Sequence, residues 1–273
     1  MSEADRLATE TPAEPPAANE HHRPVRPRRG TSDERAISDV LGYIIIFSLI
    51  IVSIFIVVTA FGALSDVRDV ERATNAERAF DVAAENMAAI YERNAPSRST
   101  EIALGQSEIF YASNVSMAVS ADGTELASYQ VRPVEMRVTD DESLVYEGGA
   151  VFRDQGDAAV MLRDPPYLIS AGRVHLPLVQ TTAPALESVG STSVLLRGES
   201  TRRAVVASDL DGSYDELSIE ISSPRYVAWE RHLANQPSTT CDTQPESQTV
   251  DCSIDDPGQV YVTHQQISLS FVL

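Results

Sequence analysis

The chain contains no lysine. Its 21 basic residues are all arginine, set against 40 Asp and Glu, and the formal net charge is −19 over 273 residues. So acidic a chain repels phosphate, which argues against nucleic acid as a partner and against soft adhesion to anionic lipid. Absent lysine with abundant carboxylates fits a proteome adapted to multimolar salt. There the Debye length shrinks to about 3 Å or less, and surface carboxylates keep the protein hydrated. A thermophile tends instead to be rich in Lys and Glu. Catalytic signatures are missing as well: no Gly-x-Ser-x-Gly elbow, no His-Glu-x-x-His and no phosphate loop, with His175, His232 and His264 scattered. The expectation is no enzyme, no cofactor and no metal. Cysteine is nearly absent too. Cys241 and Cys252 stand eleven apart in a polar segment and, without spaced histidines, make a poor zinc site. Outside a membrane a disulfide is expected, worth about 2–3 kcal/mol in the chain-entropy model.

No proline interrupts the chain between Pro27 and Pro96, and within that stretch 26 consecutive residues, 40–65, carry no charge. At 1.5 Å per residue they reach roughly 39 Å, enough to cross a hydrocarbon core of about 30 Å. A soluble helix needs a polar stripe, and this run offers only Ser48, Ser53 and Thr59 before Ser65 at its end. The run is also too long, and starts too far in, for the 7–15-residue core of a cleavable secretory signal. Arg28-Arg29 lacks the apolar continuation that twin-arginine export favours. Five arginines (23, 26, 28, 29 and 35) precede the span and three (68, 72 and 78) follow closely, which places the N-terminus in the cytoplasm. The remainder, residues 66–273, is then outside. The expected localisation is the cell membrane, crossed once, with the lipid bilayer as the first partner.

On either side of the span the composition changes. Residues 1–36 are rich in proline and charge and poor in large apolar residues, so they read as a disordered cytoplasmic leader. After the membrane helix, 37–65, apolar residues continue at helical spacing. Val67, Val70 and Thr74 lead to Phe80, Ala83, Ala84, Met87, Ile90 and Tyr91, an amphipathic extension over 66–95. From about Thr100 the period becomes two. Asp122-Gly123 and Asp211-Gly212 each predict a hairpin, Glu147-Gly148-Gly149 separates two short runs, and Pro177 marks an edge or bulge in 174–179. A closing strand is expected over 260–273. Pro224–Leu233 reads as a short helix packing Trp229, the only tryptophan, into a sheet. The fold class is therefore α+β: a long N-terminal transmembrane helix, then a mostly antiparallel β outer domain over 96–273. Asn114-Val115-Ser116 is an N-glycosylation sequon on the outer side. Asp209-Leu-Asp211-Gly212 resembles part of a calcium loop but lacks the closing Glu. Asp255-Asp256 reads as solvated charge.

The junction ahead of the span reads Arg35-Ala36-Ile37-Ser38-Asp39-Val40-Leu41-Gly42. A basic residue, a small residue and an apolar residue opening a long hydrophobic helix are what a prepilin peptidase needs at the cytoplasmic membrane face. The cut falls between Ala36 and Ile37. This stretch resembles the N-terminal segment of haloarchaeal type IV pilin-like proteins; Asp39 departs from it, standing where many such pilins have proline, and Ala36 stands where glycine is frequent. The resemblance covers about 30 residues, and the Ser223-Pro224-Arg225-Tyr226 to Trp229 patch is similar to a pattern in related anchored surface proteins. It implies a pilin-like fold, a prepilin peptidase and other pilin-like subunits as partners, and a surface filament. For Asp39 it implies pairing with a neighbouring subunit's new amine during assembly. The plainer reading of Asp39 is an interfacial acid suiting the helix dipole. Two alternatives stay beside the pilin reading: a permanent, unprocessed anchor for a β-rich binding domain, and an anchored extracellular enzyme.

Overall fold

The computed structural model describes residues 32–105, 107–156, 158–184, 188–190 and 193–272. The chain divides into two compact units, Met1–Phe61 and Gly62–Leu273. An apolar N-terminal helix is followed by a mostly β domain, as the change of period at about Thr100 predicts.

Helix α1 runs Ser32–Tyr91. Most of the leader, 1–31, lies outside the described residues, but 32–36 are helical rather than disordered. Within the first unit, Val40–Thr59 is long and apolar enough to cross a membrane, and none of it is buried within the chain. Thr59 turns its hydroxyl back onto the Phe55 and Ile56 carbonyls (3.0 Å each), so this polar side chain adds no unpaired donor to the span.

In the second unit the strands run in chain order as follows. β1 is Ser97–Ala103, β2 Glu108–Tyr111, β3 Val115–Ala121, β4 Thr124–Val131 and β5 Val134–Arg137. β6 is Ser143–Glu147, β7 Ala150–Asp154, β8 Ala159–Arg163, β9 Leu168–Ser170, β10 Arg173–Thr182 and β11 Ser188–Gly190. β12 is Ser193–Asp209 and β13 Glu216–Ser222; helix α2 follows at Tyr226–Ala234, then β14 Thr239–Gln244, β15 Thr249–Asp255 and β16 Gln259–Val272. They form three sheets, ordered β1-β12-β16-β10-β9, β11-β2-β5-β6-β7-β8 and β14-β15-β13-β3-β4. Of the pairings described only β10 with β16 is parallel.

Of the stripe expected from its spacing, the C-terminal part of α1 buries Phe80, Ala83, Ala84, Met87 and Ile90, with Ala76 beside them; Thr74 and Tyr91 are half-buried, and the side chains of Val67 and Val70 lie outside the described residues. Together with the inner faces of the first and second sheets the buried residues make one core. Each large side chain there gains about 1.5–3 kcal/mol by leaving water. A second core gathers the third sheet, α2 and the other end of the first sheet. The β6–β7 hairpin serves both. Leu144, Tyr146 and Val151 enter the first core, Val145, Ala150 and Phe152 the second, so the usual alternation of buried and exposed positions is lost.

The Asp122-Gly123 hairpin is present: β3 and β4 pair from Ala121↔Thr124, with Asp122 at φ 47° and Gly123 at φ 72°. The Asp211-Gly212 hairpin is not. Gly212 does turn (φ 71°), but the strands on either side belong to different sheets, β12 with β16 and β13 with β15 and β3. The Asp209 carboxylate accepts from the Ser213 and Tyr214 N–H groups (2.6 and 3.2 Å) and swings the chain out of the first sheet. β12 runs unbroken along β16, with register shifts at Ser200/Arg202 and Val205/Ala207. Pro177 sits in β10 beyond the reach of β9, which pairs only with Arg173–His175, so its missing N–H falls at an edge. The expected closing strand, β16, is central, flanked by β12 and β10.

The parallel pair starts where two glycines touch. Gln259 N–H donates to the Gly172 carbonyl (3.1 Å), and a Cβ on Gly258 would lie 2.4 Å from that same oxygen while forcing a side chain onto φ +64°. Gly258→Ala is therefore expected to destabilise the β domain by about 2 kcal/mol or more. Chemical denaturation of the detergent-solubilised protein, followed by Trp229 fluorescence, measures it; an unchanged midpoint would refute the close approach.

Candidate functional site

Two regions carry the chemistry that the sequence points to: the junction at the start of the membrane-length helix, and the surface of the β domain. The backbone at Arg35, Ala36, Ile37 and Asp39 is helical, and the side chains of these four residues lie outside the described residues. The span that follows is exposed all round: Leu41, Ile45, Phe47, Ile51, Phe55 and Val58 each leave half or more of their surface uncovered by the chain. Such a helix needs an apolar surrounding, whether lipid or the same face of other helices.

In the β domain the predicted residues are dispersed. Cys241 and Cys252 are joined by a disulfide and face each other directly across β14 and β15. This hairpin was unexpected, because β14 (Thr-Thr-Cys-Asp-Thr-Gln) is polar and mostly exposed; its partner β15 buries Val250, Cys252 and Ile254. Asn114 is exposed on the link between β2 and β3. Asp209, far from holding an ion, has its carboxylate committed to the Ser213 and Tyr214 backbone; burial pushes its pKa up, the backbone donors outweigh that, and the net shift is downward. Asp255 and Asp256 are exposed, as expected. Among the described residues no cluster of His, Cys, Asp and Glu could hold a metal.

The histidines are less scattered in space than in sequence. His175 on β10 and His264 on β16 line one groove of about 520 Å³, with Tyr261 and Arg203. The Tyr261 ring lies 5.4 Å from His175, and Tyr129 stacks on His264 at 4.0 Å. His264 Nε2 shares a hydrogen bond with Gln180 Oε1 (2.9 Å). Arg203 is fixed from below: Nε donates to Gln265 Oε1 (2.6 Å) and Nη2 to the Ile90 carbonyl at the end of α1 (2.8 Å). His232, on α2, lies elsewhere, 3.2 Å from Asp164.

The most ordered polar cluster is one that the sequence did not expose. Glu147, at the tip of β6, is completely buried, and its carboxylate is filled. Oε2 accepts from Arg225 Nε (2.9 Å) and Nη2 (2.6 Å), and Oε1 accepts from Trp229 Nε1 (2.8 Å). Arg225, itself 5% exposed, also reaches Asp154 (3.3 Å). Burial pulls the Arg225 pKa down, but Glu147 and Asp154 outweigh that and raise it. Phe152 and Tyr167 complete the box, with ring centroids 5.4 and 6.3 Å from Trp229. Burial, with the Glu147 charge behind it, pushes the Tyr167 phenol well above its ordinary value. A carboxylate with three donors and no exposed oxygen is not free to act as a base or to bind a ligand. The cluster is a brace. It explains the expected placing of Trp229 and the Ser223–Trp229 patch: Ser223 Oγ accepts from Arg225 N–H (3.1 Å) and starts the turn into α2.

Two outcomes follow. Arg225→Leu strands a buried carboxylate and is expected to cost about 3–5 kcal/mol, whereas replacing Glu147 and Arg225 together by apolar residues restores most of it; a double-mutant cycle in denaturant reads the coupling. The three histidines set a pH dependence. Burial holds each below the ordinary 6.5, against a partial opposing pull from Asp164 at His232. The unfolded chain then takes up protons first. Their stabilising contribution is complete above pH 6.5 and is lost as pH falls below it toward the folded-state values. A melting temperature that falls between pH 7 and 5, less steeply in His264→Gln, is the expected result; a flat profile contradicts it.

No curated protein and no solved structure matches the chain. One family model does, over residues 35–270, which is most of the sequence and opens at the arginine of the junction ahead of the span. The chain belongs to that family, described as a family of unknown function (DUF7289).

Proposed function

We propose that the chain is a pilin-like cell-surface protein. It is held by one membrane-spanning helix with the N-terminus inside and the β domain outside. A prepilin peptidase trims it between Ala36 and Ile37, and it assembles with other pilin-like subunits through its N-terminal helix. One observation carries this reading: a sharply bounded apolar helix, none of it covered by the chain, stands directly after Arg35-Ala36-Ile37. The family match is compatible with it, since it runs over residues 35–270 and takes in both the junction and the apolar helix.

The energetics suit both stages. Fifteen of the twenty residues in Val40–Thr59 are Ile, Leu, Val or Phe. At about 0.3–0.6 kcal/mol each near the bilayer centre they contribute roughly 5–9 kcal/mol to insertion. Extraction into a filament keeps that surface dry only if neighbouring helices replace the lipid. Trimming leaves Asp39 as the third residue, beside the new α-amine of a neighbour. A carboxylate and an amine meeting at low dielectric attract far more strongly than in water. The domain outside is built for display: its Glu147–Arg225 brace is internal, and acids such as Asp255 and Asp256 are exposed.

The mature N-terminus decides between processing and permanent anchoring. Mass spectrometry of membranes and shed surface material is expected to find chains beginning at Ile37. Ala36→Leu should leave the leader on, because the scissile bond needs a small side chain. Asp39→Asn should be cleaved normally but fail to assemble. Chains that retain residues 1–36 would overturn the pilin reading and make the protein a fixed anchor for a β-rich binding domain.

A further inference from the structure

Asn114-Val115-Ser116 is the only Asn-x-Ser/Thr sequence in the chain. Asn114 is exposed, on the irregular link between β2 and β3, and Ser116 stands one residue inside β3. The side of this link faces a cavity of about 490 Å³, lined by Asn114 itself with Ser113, Ser222, Ser247, Gln248 and Glu135. That volume lies within the roughly 300–1,000 Å³ of small-molecule sites. Ser222 Oγ shares a hydrogen bond with Thr249 Oγ1 (2.8 Å) and Ser247 Oγ donates to the Gln244 carbonyl (3.3 Å), so these hydroxyls offer their remaining lone pairs, and with the Gln248 amide and the Glu135 carboxylate they form the mixed donor and acceptor array that sugar hydroxyls require. Two arginines also border it, and both are already paired. Arg137 meets Glu108 at 3.2 Å, and Arg225 is committed to Glu147 and Asp154. With its cations taken, the cavity suits neutral sugar rings rather than acidic ones.

We propose that Asn114 is an N-glycosylation site and that this cavity seats the first, neutral sugars of its glycan. The inference rests on the outside placement of the β domain proposed above. In the transfer, the Asn114 amide nitrogen forms a bond to C1 of a sugar carried on a lipid phosphate. The bond from C1 to the phosphate oxygen breaks, the lipid phosphate leaves with the electron pair, and the amide loses one proton to the transferase's base. No redox partner is needed. The Ser116 hydroxyl is the part of the sequon that the transferase reads, so it can be changed without touching the acceptor.

The test uses the full chain from the cells that make it. Trypsin cuts only after arginine here, and the Arg132-Pro133 bond resists it, so Asn114 falls in a peptide spanning 99–137. That peptide is expected to carry a mass increment of neutral hexoses, lost in Ser116→Ala and in Asn114→Gln and kept in Ser116→Thr. Backbone hydrogen exchange around 222–223 and 247–248 is expected to be slower in the wild type than in Asn114→Gln. A modified peptide with equal exchange overturns the seating. Protease added to intact cells locates the domain independently. An outside domain with an unmodified 99–137 peptide overturns the site; a protected, inside domain overturns the membrane topology itself.

Discussion

A carboxylate taken wholly out of water must be met by a cation and by donors, and Glu147 is met by Arg225 and Trp229 together. That requirement organises the β domain. Glu147 ends β6 in the second sheet, while Arg225 lies between β13 of the third sheet and α2. Satisfying one carboxylate therefore fixes the second sheet against the third and sets the angle at which α2 leaves. The turn beside it has no slack. Gly148 and Gly149 both take positive φ, and a Cβ on Gly149 would meet the Pro166 ring at 2.8 Å. Such a pair adds little net stability over a well-packed apolar substitute; its contribution is that other arrangements of the hairpin leave a buried charge alone.

The exposed charges follow different physics. Arg163 reaches Asp81 and Glu85 on α1 (2.9 Å each), and Arg153 pairs with Glu77 and Glu142. These pairs lie where solvent and salt screen them, so each contributes a fraction of a kcal/mol. The apolar stripe from Ala76 to Ile90 holds the C-terminal part of α1, and the arginines orient it. Cohesion here is apolar, and the Glu147–Arg225 pair lies out of reach of the solvent, so screening of the surface charges costs the fold little.

Long-period features were readable from the residues, and contacts between distant segments were not. The membrane-length span and the stripe at Phe80, Ala83, Ala84, Met87 and Ile90 repeat over many residues, so their periodicity survives local noise. The Asp122-Gly123 turn carries its own geometry. Asp211-Gly212 has the same residues and makes a turn without a hairpin, because which strands pair is decided by the sheets around it. β14 escaped notice because an exposed edge strand needs no apolar face, and only its cysteine is tied inward. Glu147 and Arg225 are 78 residues apart, beyond any local pattern. A faint signal did exist: an acid standing inside the apolar run 144–152, where both faces of a hairpin are covered.

The position of β16 has a consequence for the order of events in the cell. It fills the middle of the first sheet, between β12 and β10, and its Ile267, Leu269 and Phe271 share a core with Phe80 and Met87 of α1. Elements from opposite ends of the domain thus close one core, and β10 finds its long partner only when 259–268 has emerged. Contacts of such sequence separation form late and slowly. If the chain is threaded across a membrane behind its apolar helix, it arrives outside with its sheet still open, and folding completes only after the last strand is delivered. Crossing as an unfolded chain is then a natural result of the topology, with no separate factor needed to delay folding.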